Sequence, residues 1–382
     1  MGYIHVQIEI SQLSKKVGQA CGDHVISFRN PLATYVVLAD GIGSGIKANV
    51  YANMIASRLK KLLDNDVALR EAFGAVVTTM HQSRSNDMPY AVFTVVRILN
   101  NGEATVLAYE MPESIFIGRH SATVLKRRNF TRGREVISET NLFLEPGEGL
   151  LLYSDGITLA GIGERTKLGW SSNEICRYVN DRLVAGEDRY RLHNAIMKNA
   201  HFLWGEKCGD DCTVVGVFCR LGREVVVLTG PPEDMKDDGK VVRDFIKSKG
   251  EKVICGASTA QMVARVLKKE LKFNPEDKSL IAPPGYSIEG IELATEGAVT
   301  LNQVYNILDE DSDLFEPDSS VTRLHKALTQ ADKLVFILGR GQNKGHADIA
   351  FRQKGILPRK RILELIAERL VARGHLVEIK EV

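Results

Sequence analysis

From Tyr35 to Ala48 the chain reads Tyr-Val-Val-Leu-Ala-Asp-Gly-Ile-Gly-Ser-Gly-Ile-Lys-Ala. Apolar, largely β-branched residues run into an acid, alternating glycines follow, and apolar residues then recur at helical spacing. The pattern predicts a fully buried strand over Tyr35 to Ala39 and a helix over Ile46 to Leu63, with Ser44 as its N-cap. The junction has two readings. Asp40-Gly41 can be an ordinary tight turn. Alternatively, an aspartate ending a buried strand, beside glycines that let the backbone come close, suits a metal or phosphate site. The Gly-Lys-Ser/Thr ending of a nucleotide loop is absent, and the spacing is not the dinucleotide fingerprint.

A chain of 382 residues, 44% hydrophobic and 26% charged, has room for two or three domains with a core in each. A net charge of +2 gives no sign of a nucleic-acid partner. No apolar run reaches the ~18 residues of a membrane span. The start, Met1-Gly-Tyr-Ile-His-Val6, lacks a signal-peptide pattern, and Val6 breaks the myristoylation pattern. The six cysteines (Cys21, Cys176, Cys208, Cys212, Cys219, Cys255) are scattered and form no Cys-x-x-Cys pair. The expectation is a reduced, cytoplasmic protein without a disulfide framework. Cys208 and Cys212 bracket Gly-Asp-Asp, as small buried thiols or as a pair open to oxidative tuning.

Along the chain, Ile4 to Ile10 alternates as a half-buried strand, and Gly22 to Phe28 is a short strand preceded by an acid. Val67 to Met80 reads as a second helix and Ser83 to Pro89 as a polar loop. Ala91 to Leu99 and Glu103 to Tyr109 form a hairpin through Asn100-Asn101-Gly102. Ser114 to Gly118 pairs with Ala122 to Lys126. Leu150 to Tyr153 is a buried strand running into Ser154-Asp155-Gly156. Ser171-Ser-Asn-Glu174 is a capping box opening a helix to about Leu183, and Tyr190 to Leu203 is another helix. A strand beginning at Asp210-Asp211 and ending at Phe218 closes this part, an α+β pattern.

After residue 222 strands alternate with helices, predicting a smaller α/β domain built on a parallel sheet. Its strands are Glu224 to Thr229, Lys252 to Cys255, Lys333 to Leu338 and His375 to Ile379. Its helices are Gly239 to Lys249, one opened by a capping box at Ser258-Thr-Ala-Gln261, one capped by Thr300-Leu-Asn-Gln303, and Lys360 to Arg373. Residues 272 to 300 read as irregular. The domains are therefore 1–221 and 222–382.

Asp40 and Asp155 each end a buried strand and precede Gly, Asp210 starts one, and Asp23 lies beside one. Any single Asp-Gly is more often a turn than a ligand. Several at strand ends in one domain suit hard divalent cations, which take oxygen ligands and keep several waters. Without a cation such carboxylates repel one another and are driven toward protonation.

At these residues the chain resembles a known family. Asp40-Gly-Ile-Gly-Ser-Gly-x-Lys-Ala, Tyr-Ser154-Asp155-Gly156 and Gly-Asp210-Asp211-Cys-Thr-Val-Val are similar to the signature blocks of metal-dependent type 2C protein phosphatases, in the stage II sporulation protein E-like branch. The blocks stand in the family's order over roughly residues 5 to 220. The resemblance implies two stacked antiparallel sheets flanked by helix pairs, with two Mn²⁺ or Mg²⁺ ions between the sheet ends. It implies metal ligands at Asp23, Asp40, Gly41 (through its carbonyl), Asp155 and Asp210, with Asp40, Asp155 and Asp210 carrying the chemistry. Asp211 is the less favoured acid of its pair. The implied reaction is hydrolysis of a serine or threonine phosphoester by a metal-activated water, so no side-chain nucleophile is needed.

Two departures stand out. Ile42 replaces a histidine of animal members, and Arg29 is a poor match for their phosphate-binding arginine. The resemblance further implies that the helices from Ser44 to Leu63 and Val67 to Met80 act as a regulatory switch; plain core helices are the alternative. The implied partner is a phosphoprotein in a bacterial signalling circuit, such as a phosphorylated anti-sigma-factor antagonist. A phosphatase-fold sensor or scaffold and a phosphatase of a small metabolite are the competing readings, and a homodimer is open. Residues 222–382 are expected to regulate the first domain by binding a partner or a small anionic ligand at Gly230-Pro-Pro, at Cys255-Gly-Ala-Ser and at the loop 339–346. A plain docking or dimerising domain is the alternative there.

Overall fold

In the computed structural model, residues 2–163, 165–205, 208–274, 285–341 and 355–382 are described. The chain divides into two compact units, Tyr3–Leu221 and Gly222–Val382.

The first unit contains β1 (Ile4–Leu13), β2 (Asp23–Arg29), β3 (Ala33–Gly41), α1 (Gly45–Asp64), α2 (Leu69–Ser85), β4 (Ala91–Leu99) and β5 (Glu103–Tyr109). It continues through β6 (Ile115–Ile117), β7 (Ala122–Val124), β8 (Arg128–Arg132), β9 (Glu135–Phe143), β10 (Gly149–Tyr153), α3 (Asp155–Thr158), α4 (Ser172–Val184), α5 (Leu192–Trp204) and β11 (Cys212–Leu221). Two sheets result, in the orders β1-β11-β10-β6-β7 and β2-β3-β4-β5-β9-β8. Every pairing within them is antiparallel.

β3 shows why four layers form. Successive side chains point to opposite faces. Val36 and Leu38 join Ile4, Val6, Leu150, Leu152, Val215 and Val217 in the core between the sheets. Tyr35, Val37 and Ala39 face the other way, against Ala52, Ile55, Ala56 and Leu59 of α1 and Phe73 and Val76 of α2. On the far side, α4 and α5 cover β10 and β11 through Ile175, Val179 and Ile196 against Leu151, Tyr153 and Val214. The strand reads as a continuous apolar run because it is buried on both faces.

The capping box of α4 is present in both directions: Ser171 Oγ accepts from the Glu174 N–H, and the Glu174 carboxylate accepts from the Ser171 N–H at 2.9 Å. Ser44 occupies the N-cap position of α1 in extended conformation, but its side chain makes no capping bond. α2 runs to Ser85, so the expected loop at Ser83 begins inside the helix. The β8–β9 hairpin was not expected from the sequence. It ends the six-stranded sheet with β8 at the edge, and Ile137 and Glu139 are the only buried residues of its two strands.

The second unit contains β12 (Glu224–Thr229), α6 (Asp238–Lys247), β13 (Glu251–Cys255), α7 (Ala257–Leu267), β14 (Lys272–Asn274), β15 (Gly285–Ser287) and β16 (Leu293–Thr295). After these come α8 (Ala298–Ile307), α9 (Ser320–Thr329), β17 (Lys333–Leu338), α10 (Arg359–Ala372) and β18 (Leu376–Glu381). The sheet order is β14-β15-β16-β13-β12-β17-β18. The five strands from β16 to β18 in that order are parallel, with β14 and β15 as an antiparallel edge. α6 and α7 pack on one face through Val242, Phe245 and Val263. α8, α9 and α10 pack on the other through Leu301, Leu324 and Ile366. The chain thus winds outward in both directions from β12.

Two capping expectations fail here. α7 starts at Ala257 with Gly256 (φ 135°) as N-cap, and α8 starts at Ala298 with Gly297 as N-cap. Glycine entry places Ser258 and Thr300 inside the first turn, where they cannot cap. α9, unexpected from the sequence, is capped by Ser319, which accepts from the Thr322 N–H at 3.1 Å. Residues 342–346 of the Gly/Lys/His loop and 275–284 of the irregular stretch lie outside the described residues. Among the described residues no helix is long and apolar enough to cross a membrane.

Candidate metal centre

The acids come from the ends of both sheets. Asp23 opens β2 and Asp40 stands second from the end of β3; the antiparallel register sets them directly opposite one another. Asp155 follows β10 as the first residue of the one-turn helix α3, rather than ending the strand itself. Asp210 lies in the turn before β11. The β10 and β11 ends are laced together, because Ser154 N–H donates to the Thr213 carbonyl at 3.1 Å and Ser154 Oγ accepts from the Thr213 N–H at 2.9 Å.

Two glycines permit this closeness. A Cβ on Gly41 would lie 2.1 Å from the Ala48 carbonyl oxygen, and one on Gly156 would lie 2.1 Å from the Asp211 carbonyl oxygen. Backbone meets backbone at both points, so no larger residue fits. The Trp204 indole N–H donates to the Gly156 carbonyl at 3.0 Å and holds that turn from behind.

The electrostatics are those of a cluster lacking countercharge. Asp23 is 2% exposed and Asp40 9% exposed. Burial first, then the charges of Asp23 and Asp155 with Asp210 beyond, push the Asp40 carboxyl up to about 10. Burial likewise pushes Asp23 up to about 7, and the Thr213 and Ser154 hydroxyls offset part of that cost. Asp210 is raised by burial and by Asp155, while Lys15 pulls it back. Both carboxylate oxygens of Asp23 are buried without a full hydrogen bond. A buried acid left so is expected to take a proton or a cation.

The residues therefore fit hard cations. Asp40 feels the charges of Asp23, Asp155 and Asp210. Among the described residues no group of three or more His, Cys, Asp or Glu side chains is placed as a ready ligand set for a metal ion. Carboxylate oxygens are the donors that Mg²⁺ and Mn²⁺ take, together with several waters.

Asp211 has a different task. Its carboxylate accepts from the Lys15 N–H at 2.7 Å and from the Gly22 N–H at 2.9 Å, pinning the β1–β2 connection beside Asp23. Arg29 lies at the opposite end of β2 from Asp23, roughly 20 Å along the strand, where it donates to the Val6 carbonyl. Ser154, Thr213, Lys15 and Trp204 were not singled out from the sequence. Hydroxyls and one lysine carry no spacing signal, and Ser154 and Thr213 entered only as members of the Tyr-Ser154-Asp155-Gly156 and Gly-Asp210-Asp211-Cys-Thr-Val-Val blocks. All six cysteines are free thiols, and the sulfurs of Cys208 and Cys212 approach to 3.7 Å.

Residues 31–219 match the family model for stage II sporulation protein E (SpoIIE). This segment is similar to SpoIIE domains. The chain is also similar in structure to the RsbU and RsbW domains of a Mycobacterium tuberculosis protein, at 16% identity and a TM-score of 0.47, over 64% of this chain and 68% of that one. The type 2C phosphatase domain and regulatory fragment of SpoIIE from Bacillus subtilis aligns at 16% identity and a TM-score of 0.49. That alignment covers 58% of this chain and 64% of the other, less than two thirds of its length. A Streptococcus-type relative, the S. agalactiae serine/threonine phosphatase, aligns at 14% identity and a TM-score of 0.43, over 56% of this chain and 99% of that one. No curated protein matches the chain in sequence.

Proposed function

We propose that the SpoIIE-like domain is a metal-dependent serine/threonine phosphoprotein phosphatase serving bacterial signalling, with a substrate of the phosphorylated anti-sigma-factor-antagonist kind. The observation that carries this reading is the grouping of Asp23, Asp155 and Asp210 about Asp40, whose carboxyl is raised toward protonation by burial and by their charges, while Asp23 is raised chiefly by its own burial. Asp40, Asp155 and Asp210, with Asp23 and the Gly41 carbonyl, would hold two Mn²⁺ or Mg²⁺ ions. Bound ions of this kind neutralise charge on phosphoryl oxygens and acidify a water for in-line attack on phosphorus.

The chain's own residues set the stage for that chemistry. The hydroxyls of Ser154 and Thr213 steady the charged form of Asp23. Gly41 and Gly156 let the loops bearing Asp40 and Asp155 close onto α1 and β11. Lys15 brings positive charge toward Asp210. Ile42 offers no proton at the position after Asp40-Gly41, so the leaving group takes its proton from elsewhere.

Control of the domain is part of the proposal. Ile46, Val50 and Met54 lie on one exposed stripe of α1, continuing the line of exposed Ile42 directly after the acid. An apolar stripe beginning near the site is a natural docking face for a partner protein.

The test is hydrolysis of p-nitrophenyl phosphate with Mn²⁺, with and without EDTA, by wild type and Asp155→Asn. We expect turnover that EDTA removes and that Asp155→Asn lowers at least ~100-fold. Turnover untouched by either would refute the assignment.

A further inference from the structure

The parallel sheet of the second unit has a crevice where its winding reverses. In the order β16-β13-β12-β17-β18, the chain steps outward one way from β12 and the other way from β17. Connections leaving β12 and β17 thus separate, and open α/β sheets take ligands at that point, beyond the carboxyl ends of the strands. A cavity of about 850 Å³ lies there, within the roughly 300–1,000 Å³ usual for ligand sites. Pro231 and Pro232 after β12, and Arg340 after β17, form its walls, and Ser258 at the start of α7 borders it.

Three features give the cavity a chemistry. The first is the entry of α7. Gly256 offers no side-chain cap, so the N–H groups of the first turn have no acceptor within the helix. These N–H groups carry the positive end of the helix dipole. The second is a pair of guanidinium groups, Arg265 and Arg340, both lining the cavity. Each makes one ion pair, Arg265 with Asp238 and Arg340 with Glu381, and each leaves donors over. The third is Asp238, 5% exposed, on the cavity wall. Its Oδ2 accepts from Arg265, while its Oδ1 is buried without any partner. A buried carboxylate oxygen left unpaired calls for a donor.

We infer that this cleft binds a hydroxyl-bearing phosphorylated small molecule, of the nucleotide or sugar-phosphate class. The phosphate lies at the α7 N-terminus between Arg265 and Arg340, and a ligand hydroxyl donates to Asp238 Oδ1. Glu233 at the rim repels a bare anion, which favours a ligand with donors as well as charge. The cavity volume exceeds what an inorganic ion or a small amino acid fills.

Calorimetric titration of the full chain, in EDTA so that metal ions at the first unit contribute nothing, tests this with AMP, glucose 6-phosphate, inorganic phosphate and glycine at millimolar concentrations. AMP or glucose 6-phosphate binds at least tenfold more tightly than inorganic phosphate. Arg340→Ala weakens that binding at least tenfold, as expected for one charge-assisted contact. Asp238→Asn keeps a side chain of the same shape and weakens it as well. Arg340 is largely exposed, so its variant folds and gives an answer even where Asp238→Asn melts. No heat from either organic phosphate, binding indifferent to Arg340→Ala, or preference for glycine over the phosphates would overturn the inference.

Discussion

Replacing Asp40 by asparagine should stabilise the metal-free protein while removing its response to metal. The folded chain raises the Asp40 carboxyl from 3.8 to about 10. The folded state therefore binds more protons than the unfolded state between those values, and stability falls as pH rises through that window. At pH 7, 3.2 pH units above the ordinary value, each unit costs about 1.36 kcal/mol, so the Asp40 site burdens folding by about 4 kcal/mol. Asparagine carries no charge to desolvate and removes that burden. At roughly 2–4 °C per kcal/mol for a domain of this size, Asp40→Asn in EDTA should melt about 8–16 °C above wild type at pH 7, and the gap should close toward pH 4. Added Mg²⁺ should raise the wild-type melting point by mass action and leave that of the variant nearly still. Differential scanning calorimetry from pH 4 to 9, with EDTA or Mg²⁺, reads all three effects. A variant that melts at or below wild type in EDTA, and still climbs with Mg²⁺, would show that the acids neither strain one another nor await a cation.

Asp211 and Asp210, adjacent in sequence, should part company. Asp211→Ala strands the Lys15 and Gly22 N–H groups, at about 1–3 kcal/mol each, so the melting point in EDTA should fall by 5 °C or more, on the order expected for such a loss. Asp210→Ala should leave melting in EDTA unchanged or higher and abolish metal-dependent turnover; the reverse pattern would exchange their roles. Gly156→Ala places a Cβ 2.1 Å from the Asp211 carbonyl oxygen and should cost about 1–3 kcal/mol as overpacking. A circular-dichroism melt identical to wild type would mean that the turn yields without strain.

Where one physical cause dominated, the sequence was enough. β3 is buried on both faces, and its apolar run from Tyr35 to Ala39 showed it. The α4 capping box was read residue for residue because local hydrogen bonds made it, and the Asn100-Asn101-Gly102 turn joined the strands it was expected to join. The β8–β9 hairpin escaped because its side chains are mostly exposed and its support comes from across the sheet and from α2. Buried Glu139, for example, is held by Arg70 at 2.6 Å from α2. Ser258 and Thr300 misled because a serine or threonine three residues before glutamine fits a capping box, whereas glycines with open backbones had already started both helices. In the site, the aspartates announced themselves beside glycines at strand ends. The resemblance already set Asp211 behind Asp210, but only the fold shows what Asp211 does instead, accepting from the Lys15 and Gly22 N–H groups.

The grouping of the acids rests on the packing of two sheets. Asp23 and Asp40 belong to strands of the six-stranded sheet, and Asp155 and Asp210 flank strands of the five-stranded one. Neither sheet alone supplies more than a pair of acids. The pairs meet only when Val36 and Leu38 settle against Leu150, Leu152, Val215 and Val217 in the shared core. Apolar burial on that scale, at about 25 cal/mol per Å², brings like charges together against their repulsion. A cation at the four carboxylates would then reward the arrangement that the core imposes, so metal affinity becomes a readout of how well the two sheets are seated. A regulator that shifts α1, whose Ala48 carbonyl rests on Gly41 beside Asp40, acts on the same balance without touching an acid.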